Sequence, residues 1–154
     1  MTDQVWTALT LLAALGAGLN AGLFFIFSNT IMRALDRLPA AGAVAAMNSI
    51  NSTILNPLFF LVFFGTALTC LVLLVGQLDS PPAVAGALSY LIGSLGVTMI
   101  CNVPLNDKLA KVLPAATDMA SQWRDYRGPW TRWNHIRTVA CLLAAAAFTV
   151  SFIQ

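Results

Sequence analysis

Four long runs of apolar residues, at about residues 5–27, 57–77, 83–103 and 130–152, dominate the pattern of the chain. Each run is close to the roughly 20 residues that an α-helix needs to cross the hydrocarbon of a bilayer. The apolar residues are continuous rather than alternating, which excludes the strands of a membrane barrel. The pattern predicts an all-α protein with a single domain, an integral membrane four-helix bundle.

The segment after the first run predicts further helix at the membrane surface. Residues 28–38 continue the first helix until Pro39 ends it. Residues 40–55 place apolar side chains on one face, as in a short helix that lies at the interface. Asn56 and Pro57 then have the residue types of a helix N-cap and a first helical position.

The segment after the third run predicts a second surface helix. Pro104 interrupts the third span near its end, because proline removes a helical hydrogen bond. Residues 111–127 are the most polar stretch of the chain, and Trp123 and Tyr126 are residue types that anchor helices among lipid headgroups. We expect the Gly128-Pro129 pair to break this helix before the fourth span begins.

Composition and charge fix the environment and the orientation. Hydrophobic residues make up 58% of the chain and charged residues only 9%, outside the range of a soluble domain. All eight Lys and Arg residues lie within residues 33–37 and 108–137. Because positive loops stay in the cytoplasm, both termini are predicted to lie outside it, in a bacterial inner membrane. The basic side suits anionic lipid, whereas the chain offers no surface for nucleic acid.

The first run has two further features. It begins Met1-Thr2-Asp3-Gln4, acidic where a signal peptide would be basic, so we expect this span to be retained. Gly18 and Gly22 form a GxxxG pair, which predicts close helix packing within the chain, with a homo-oligomer through this face as the alternative.

Unusual polar residues converge on one end of the predicted bundle. Helical spacing places Trp130, Trp133, Asn134 and Arg137 on one face of the fourth span, with His135 about 100° away. That face could hold a planar aromatic ligand between indoles and grip its oxygens. The alternative is structural, because interfacial tryptophans anchor helices and terminal arginines reach for phosphate. The other polar residues predicted at this end are Asn20, Asn29, Arg33, Asn56, Asn102, Asn106, Asp107 and Arg132.

The residue types that several kinds of active site require are missing from the sequence. The chain contains no Glu, no HExxH motif and no glycine-rich phosphate loop. Asp107 and His135 alone are too few ligands for an ordinary metal site, so we expect no metal. A haem held by His135 alone stays open.

Five stretches carry a resemblance to a known family: Gly22–Ser28, Met32–Leu35, Leu55–Phe59, Asn102–Asn106 and Trp130–Thr138. In these stretches, over nearly its whole length, the chain resembles the DUF1772 family, also called the anthrone oxygenase family. Fungal relatives of that family convert anthrones to anthraquinones with O2 and without a known cofactor. The resemblance implies an oxygenase acting on a lipophilic phenolic, anthrone-like or quinol-like molecule, with O2 as co-substrate and no cofactor.

The same resemblance implies roles for the polar residues. Removal of a C–H proton needs a base, for which His135 is the candidate, with Asp107 as its orienter or as the alternative base. Asn102, Asn134 and Arg137 would stabilise the resulting anion. Trp130 and Trp133 would stack on the substrate, and Asn20, Asn29, Arg33 and Asn106 would complete its binding site.

A competing interpretation is a non-catalytic membrane scaffold or a lipid-binding protein, and transport is a weaker third one. A pocket of several hundred Å³ lined by these residues would favour the enzyme. Arg137 and Asn102 fully occupied by bonds between helices, with no cavity, would favour the scaffold.

Overall fold

The computed structural model describes residues 2–112 and 118–152, and all the regular structure within them is helical. Helix α1 (Thr2–Ile26) runs through a π-helical segment (Phe27–Ile31) into α2 (Met32–Leu35). Helices α3 (Ala40–Thr53) and α4 (Pro57–Gly76) follow. Helix α5 (Pro81–Tyr90) runs through two π-helical segments (Leu91–Gly96 and Thr98–Asn102) into α6 (Val103–Ala110), and α7 spans Met119–Val150.

Three described helices are long and apolar enough to cross a membrane: Asp3–Leu35, Pro57–Gly76 and Pro81–Ala110. They identify an integral membrane protein and confirm three of the predicted spans. The fourth predicted span, residues 130–152, is not among them, so the four-helix part of the prediction is not confirmed. The physical reason lies in α7 itself, where Asn134 and Arg137 interrupt the apolar run.

The predicted helix boundaries around the first loop are confirmed. The first helix ends shortly before Pro39, and α3 covers most of residues 40–55. The Asn56 side chain accepts a hydrogen bond of 3.0 Å from the Phe59 amide, and Pro57 occupies the first turn of α4. The local residue types therefore decide this helix start, as expected of an N-cap followed by proline.

Two predicted breaks do not occur. Pro104 lies in the first turn of α6, directly after the π-helical segment Thr98–Asn102, and the helix continues through it. Local π-helical adjustment is a known way to accommodate proline in a membrane helix. Helix α7 likewise continues through Gly128 and Pro129, because the aromatic residues on both sides of the pair are packed against other helices.

The predicted surface helix over residues 111–127 also needs correction. Residues 113–117 lie outside the described part of the chain, and the described helix begins at Met119. Trp123 and Tyr126 are not headgroup anchors, since both are only 4% exposed. Asp36 holds this part of α7 against α2, accepting hydrogen bonds from Trp123 Nε1 (3.1 Å) and from Arg127 (2.6 Å).

Packing divides the molecule into two apolar cores with a polar layer between them. One core lies along α1, α4, α5 and the end of α7, and it includes Ala17, Phe63, Tyr90 and Phe148. The other joins α2, α3 and α6 to the start of α7. A set of buried or partly buried polar side chains lies between the two cores. We call this set the polar layer; its members are Ser28, Ser94, Thr98, Asn102, Asn134, Arg137 and Thr138.

The predicted packing role of the GxxxG pair is wrong for Gly18 and Gly22. Both are exposed, and an added Cβ would meet no atom within 4 Å. The close approach of α1 to α4 occurs at Gly16 instead, where an added Cβ would collide with the Thr66 hydroxyl. The outward face of Gly18 and Gly22 leaves the homo-oligomer as a prediction.

Substituting Gly16 with valine is expected to lower the thermal midpoint of the purified protein by several degrees. The Thr66 hydroxyl cannot easily move aside, because it donates a 2.6 Å hydrogen bond to the Val62 carbonyl. Overpacking of this kind costs about 1–3 kcal/mol. Thermal unfolding in detergent measures the effect, with Gly65→Val in α4 as the matched control, since an added Cβ at Gly65 would meet no atom within 4 Å. Equal midpoints for the two variants would contradict this packing.

Candidate functional site

Four of the seven residues of the polar layer lie in the three π-helical segments. Ser28 lies in the first, Ser94 in the second, and Thr98 and Asn102 in the third. π-Helical turns are rare and occur frequently at functional sites. Their position here marks the polar layer as the part of the membrane domain where the regular helices are adjusted to place particular side chains.

Arg137 lies at the centre of this layer and is 6% exposed. Its guanidinium donates to Asn134 Oδ1 at 2.6 Å and to Thr98 Oγ1 at 3.2 Å, while Nε has no hydrogen-bond partner. The guanidinium carbon lies 4.1 Å from the centroid of the Phe24 ring and 5.4 Å from that of Trp130. Within the described residues no carboxylate forms an ion pair with it. The site therefore contains a buried positive charge held by neutral groups and aromatic faces.

Asn134 fixes the position of that charge. It is completely buried, and its amide nitrogen donates to the Phe24 carbonyl and to Ser28 Oγ, both at 2.7 Å. Because both donors of the amide are occupied by α1 and the adjoining π-helical segment, Oδ1 is oriented toward Arg137. Asn134 thus supports the guanidinium, and it has no free donor for a ligand.

A cavity of about 350 Å³ opens beside Arg137. This volume is within the range of pockets that bind small molecules. Its walls are largely apolar and aromatic, and its polar lining comes from three helices, α3, α6 and α7, and from the π-helical segment Thr98–Asn102. The lining includes Phe24, Phe27, Phe59, Trp130, Thr98, Arg137, Asn48, Asn51, Asn106 and Asp107.

Asn106 connects the cavity to the second core. Its Oδ1 accepts hydrogen bonds from Tyr126 at 2.9 Å and from Trp130 Nε1 at 2.8 Å, which leaves Nδ2 as the group that it can offer to a ligand. Burial raises the pKa of Tyr126, so its phenol stays a hydrogen-bond donor. The two bonds also hold the Trp130 ring in place as a wall of the cavity.

Replacement of Asn106 by leucine is expected to destabilise the protein by about 2–4 kcal/mol. The substitution leaves two buried donors unpaired, and each unpaired donor costs about 1–3 kcal/mol. The thermal midpoint in detergent measures this loss. The control is Asn106→Asp, which keeps an oxygen acceptor and should unfold close to the parent protein; a leucine variant as stable as the aspartate variant would refute the bonding scheme.

Asn48 and Asn51 are cavity residues that the sequence did not assign to the site. Asn48 Oδ1 and Asn51 Nδ2 are buried without hydrogen-bond partners. Buried polar atoms are normally bonded to protein, water or a ligand, so these two atoms are candidate ligand contacts. The one signal in the sequence was two amides, three residues apart, on a helix whose other polar residues are only hydroxyl-bearing ones.

The structure brings two of the three predicted catalytic residues to one cavity. Asp107 and Arg137 line the same cavity, with Asp107 exposed at its rim. His135 is exposed on another face of α7 and instead lines two surface grooves. The interpretation in which Asp107 orients His135 as a base is therefore not supported by their placement, since the two side chains face different surfaces.

The eight predicted substrate-binding residues separate into three groups. Trp130 and Asn106 line the cavity, and Asn134 supports it. Asn20 and Asn102 are buried but do not line the cavity. Asn20 donates to the Gly16 carbonyl within α1, and Asn102, a member of the polar layer, donates to the Trp130 carbonyl. The remaining three predicted residues, Asn29, Arg33 and Trp133, are exposed and do not line the cavity.

Metal-binding residue types are sparse in this region. Within residues 2–112 and 118–152, no group of three or more His, Cys, Asp or Glu side chains is placed to hold a metal ion. Asp107 is the acidic side chain that lines the cavity.

Comparison with known proteins gives one match. The family model described as anthrone oxygenase matches residues 58–147, more than half of the 154-residue chain. No curated protein and no solved structure matched the chain. The matched segment includes the cavity residues that come from α6, α7 and the π-helical segment before α6. These include Thr98, Asn106, Asp107, Trp130 and Arg137. This integral membrane protein therefore belongs to the anthrone oxygenase family.

Proposed function

We propose that the cavity binds a flat, lipophilic phenolic molecule of the anthrone or quinol type and that the protein oxidises it with O2. One observation carries the proposal: the buried guanidinium of Arg137, without a carboxylate partner in the described residues, borders a cavity with aromatic walls. A buried charge is costly unless it is compensated. The oxygen of a substrate anion would supply that compensation.

The surroundings of Arg137 suit an aromatic anion better than a compact one. Phe24, Phe27, Phe59 and Trp130 provide apolar faces on which fused rings can pack. Asn51 and Asn106 can donate hydrogen bonds, and Asn48 Oδ1 can accept one. A phenolic ring system has both donor and acceptor oxygens, so it can satisfy all of these groups together.

Asp107 is the candidate base. It lines the cavity, and its exposure at the rim lets it exchange protons with water. For an anthrone, the carboxylate removes a proton from the methylene carbon, and resonance places the negative charge on the ring oxygen beside Arg137. Preorganised donors at a developing oxyanion are among the largest contributions to catalysis. This assignment replaces His135 with Asp107 as the base.

The oxidation then balances without another reactant. The carbanion gives its electron pair to O2, forming a C–O bond and, after protonation, a hydroperoxide. Loss of the second C–H proton cleaves the O–O bond, forms the new carbonyl and releases water. One anthrone and one O2 thus yield one anthraquinone and one water.

We also propose that the part of α7 from Trp130 onward is the fourth span and that the two basic segments face the cytoplasm. The polar residues that lower the hydropathy of α7, Asn134, Arg137 and Thr138, are buried inside the molecule. Its outward side chains, such as Val139 and Leu143, are apolar and more than half exposed. A helix with this distribution suits lipid on its outer face.

The scaffold interpretation has weaker support. Asn102 does join two helices through its bond to the Trp130 carbonyl. Arg137, however, retains an unpartnered Nε and borders a cavity of several hundred Å³, which a purely structural arginine does not require.

Oxygen uptake by the purified full-length protein tests the proposal. In nanodiscs supplied with anthrone, O2 consumption should exceed that of lipid-only nanodiscs, which measure spontaneous oxidation. One mole of anthraquinone should form for each mole of O2 that the protein consumes. Uptake equal to the lipid-only rate, with anthrone and with hydroquinone-type substrates, would refute the oxygenase.

A further inference from the structure

A second polar site lies on the outer surface of the bundle, away from the cavity. A groove of about 310 Å³ runs between the end of the first helix and the start of α7. Four of its lining residues carry basic side chains: Arg33, Arg127, Arg132 and His135. Arg127 is paired with Asp36, whereas Arg33 and Arg132 form no ion pair in the described part of the chain. The groove therefore offers net positive charge to an anion.

An apolar groove of about 480 Å³ continues from this basic groove toward the middle of the membrane domain. His135 lines both grooves and joins them. The floor of the apolar groove lies where Gly93 approaches Ala140 so closely that an added Cβ would collide. Its walls are apolar side chains of the third span and of α7: Leu88, Ile92, Ile136, Val139 and Leu143.

The dimensions match one lipid chain. From His135 to Leu143 the axis of α7 rises by about 12 Å. One leaflet of bilayer hydrocarbon is about 15 Å deep, half of the roughly 30 Å core. The apolar groove therefore extends through most of one leaflet, and the basic groove lies at the headgroup end.

We propose that the two grooves together bind one anionic phospholipid, with its phosphate at Arg33 and Arg132 and one acyl chain against Gly93 and Val139. The positive charge of the basic groove favours an anionic headgroup. Because the apolar groove adjoins it, a ligand with an attached acyl chain should bind more tightly than a free anion. The site is separate from the cavity beside Arg137, and the proposal does not depend on the oxygenase reaction.

Native mass spectrometry of the full-length protein tests this site. After delipidation and addition of phosphatidylglycerol, we expect one lipid to remain bound per chain. Phosphatidylcholine should bind at least tenfold more weakly, and inorganic phosphate at the same concentration should not displace the anionic lipid. Phosphate that displaces it efficiently would overturn the lipid assignment in favour of a simple anion site, and equal binding of both lipids would overturn the role of charge.

Matched variants separate the two parts of the site. The Arg33→Gln/Arg132→Gln double variant should weaken phosphatidylglycerol binding by at least tenfold, whereas Arg37→Gln/Arg124→Gln, with the same loss of charge at exposed positions outside the groove, should not. Val139→Trp should fill the apolar groove and displace the lipid, while Leu142→Trp, on an exposed position outside it, should leave binding unchanged. Equal losses in a variant and its control would refute the site.

Discussion

Replacing Arg137 with glutamine is expected to reduce kcat/KM for anthrone oxidation by about 10²- to 10³-fold, the usual effect of removing one oxyanion donor. Glutamine keeps hydrogen-bonding capacity toward Asn134 and Thr98 but loses the positive charge. The negative charge that develops on the ring oxygen would then lie in a buried, uncompensated position. Anthrone-dependent O2 uptake at several substrate concentrations measures the change.

The control for this variant is Arg132→Gln, which removes an equal charge from an exposed position outside the cavity. It should keep kcat/KM within about twofold of the parent. In size-exclusion chromatography in detergent, both variants should elute at the same volume as the parent protein. A different elution volume would identify a folding defect. An Arg137→Gln protein that folds and oxidises anthrone at the parental rate would remove Arg137 from the mechanism.

Replacing Asp107 with asparagine is expected to reduce kcat by about 10²- to 10⁴-fold, the contribution typical of a general base. Asparagine has nearly the same shape but cannot accept the methylene proton. Because Asp107 is exposed at the rim, the substitution should change the thermal midpoint very little. Single-turnover oxidation of bound anthrone measures the proton-removal step directly.

The comparison with His135→Ala decides which residue is the base. His135 lies outside the cavity, so its removal should leave kcat unchanged. If His135→Ala lost activity while Asp107→Asn retained it, the chemistry would have to take place in the surface grooves rather than beside Arg137. The pair of variants therefore tests the location of the reaction as well as its base.

Local sequence signals predicted much of the helical framework. Asn56 and Pro57 marked the start of α4, and Pro39 marked the end of the preceding helix, because capping and proline effects act over a few residues. The helix breaks predicted at Pro104 and Pro129 were wrong because the outcome at these positions is not decided locally. Whether a proline breaks a helix depends on the neighbours that pack around it, and these neighbours are distant in sequence.

The candidate site was predicted in part, through helical spacing. Trp130, Asn134 and Arg137 share a face of α7, and the structure buries all three at or beside the cavity. The same spacing placed His135 about 100° away, and in the structure His135 lines the two surface grooves and not the cavity.

The amides of α3 could not be predicted from the sequence. Polar residues on a surface helix ordinarily face water, and nothing near Asn48 and Asn51 indicates that they border a cavity formed with Arg137. The contacts of Asp36 could not be predicted either, because its partners Trp123 and Arg127 are about 90 residues away in the chain. Long-range contacts of this kind require the fold.

The most direct test of the central claim is the ionisation of a coloured ligand in the cavity. A hydroxyanthraquinone changes its absorption when its phenol ionises, so titration of the bound dye reports the charge that the site favours. If Arg137 receives the oxyanion, the dye should ionise about one to three pH units lower in the parent protein than in lipid-only nanodiscs, and Arg137→Gln should abolish that difference. A bound dye that ionises at the same pH in the parent protein, the variant and lipid alone would contradict the account.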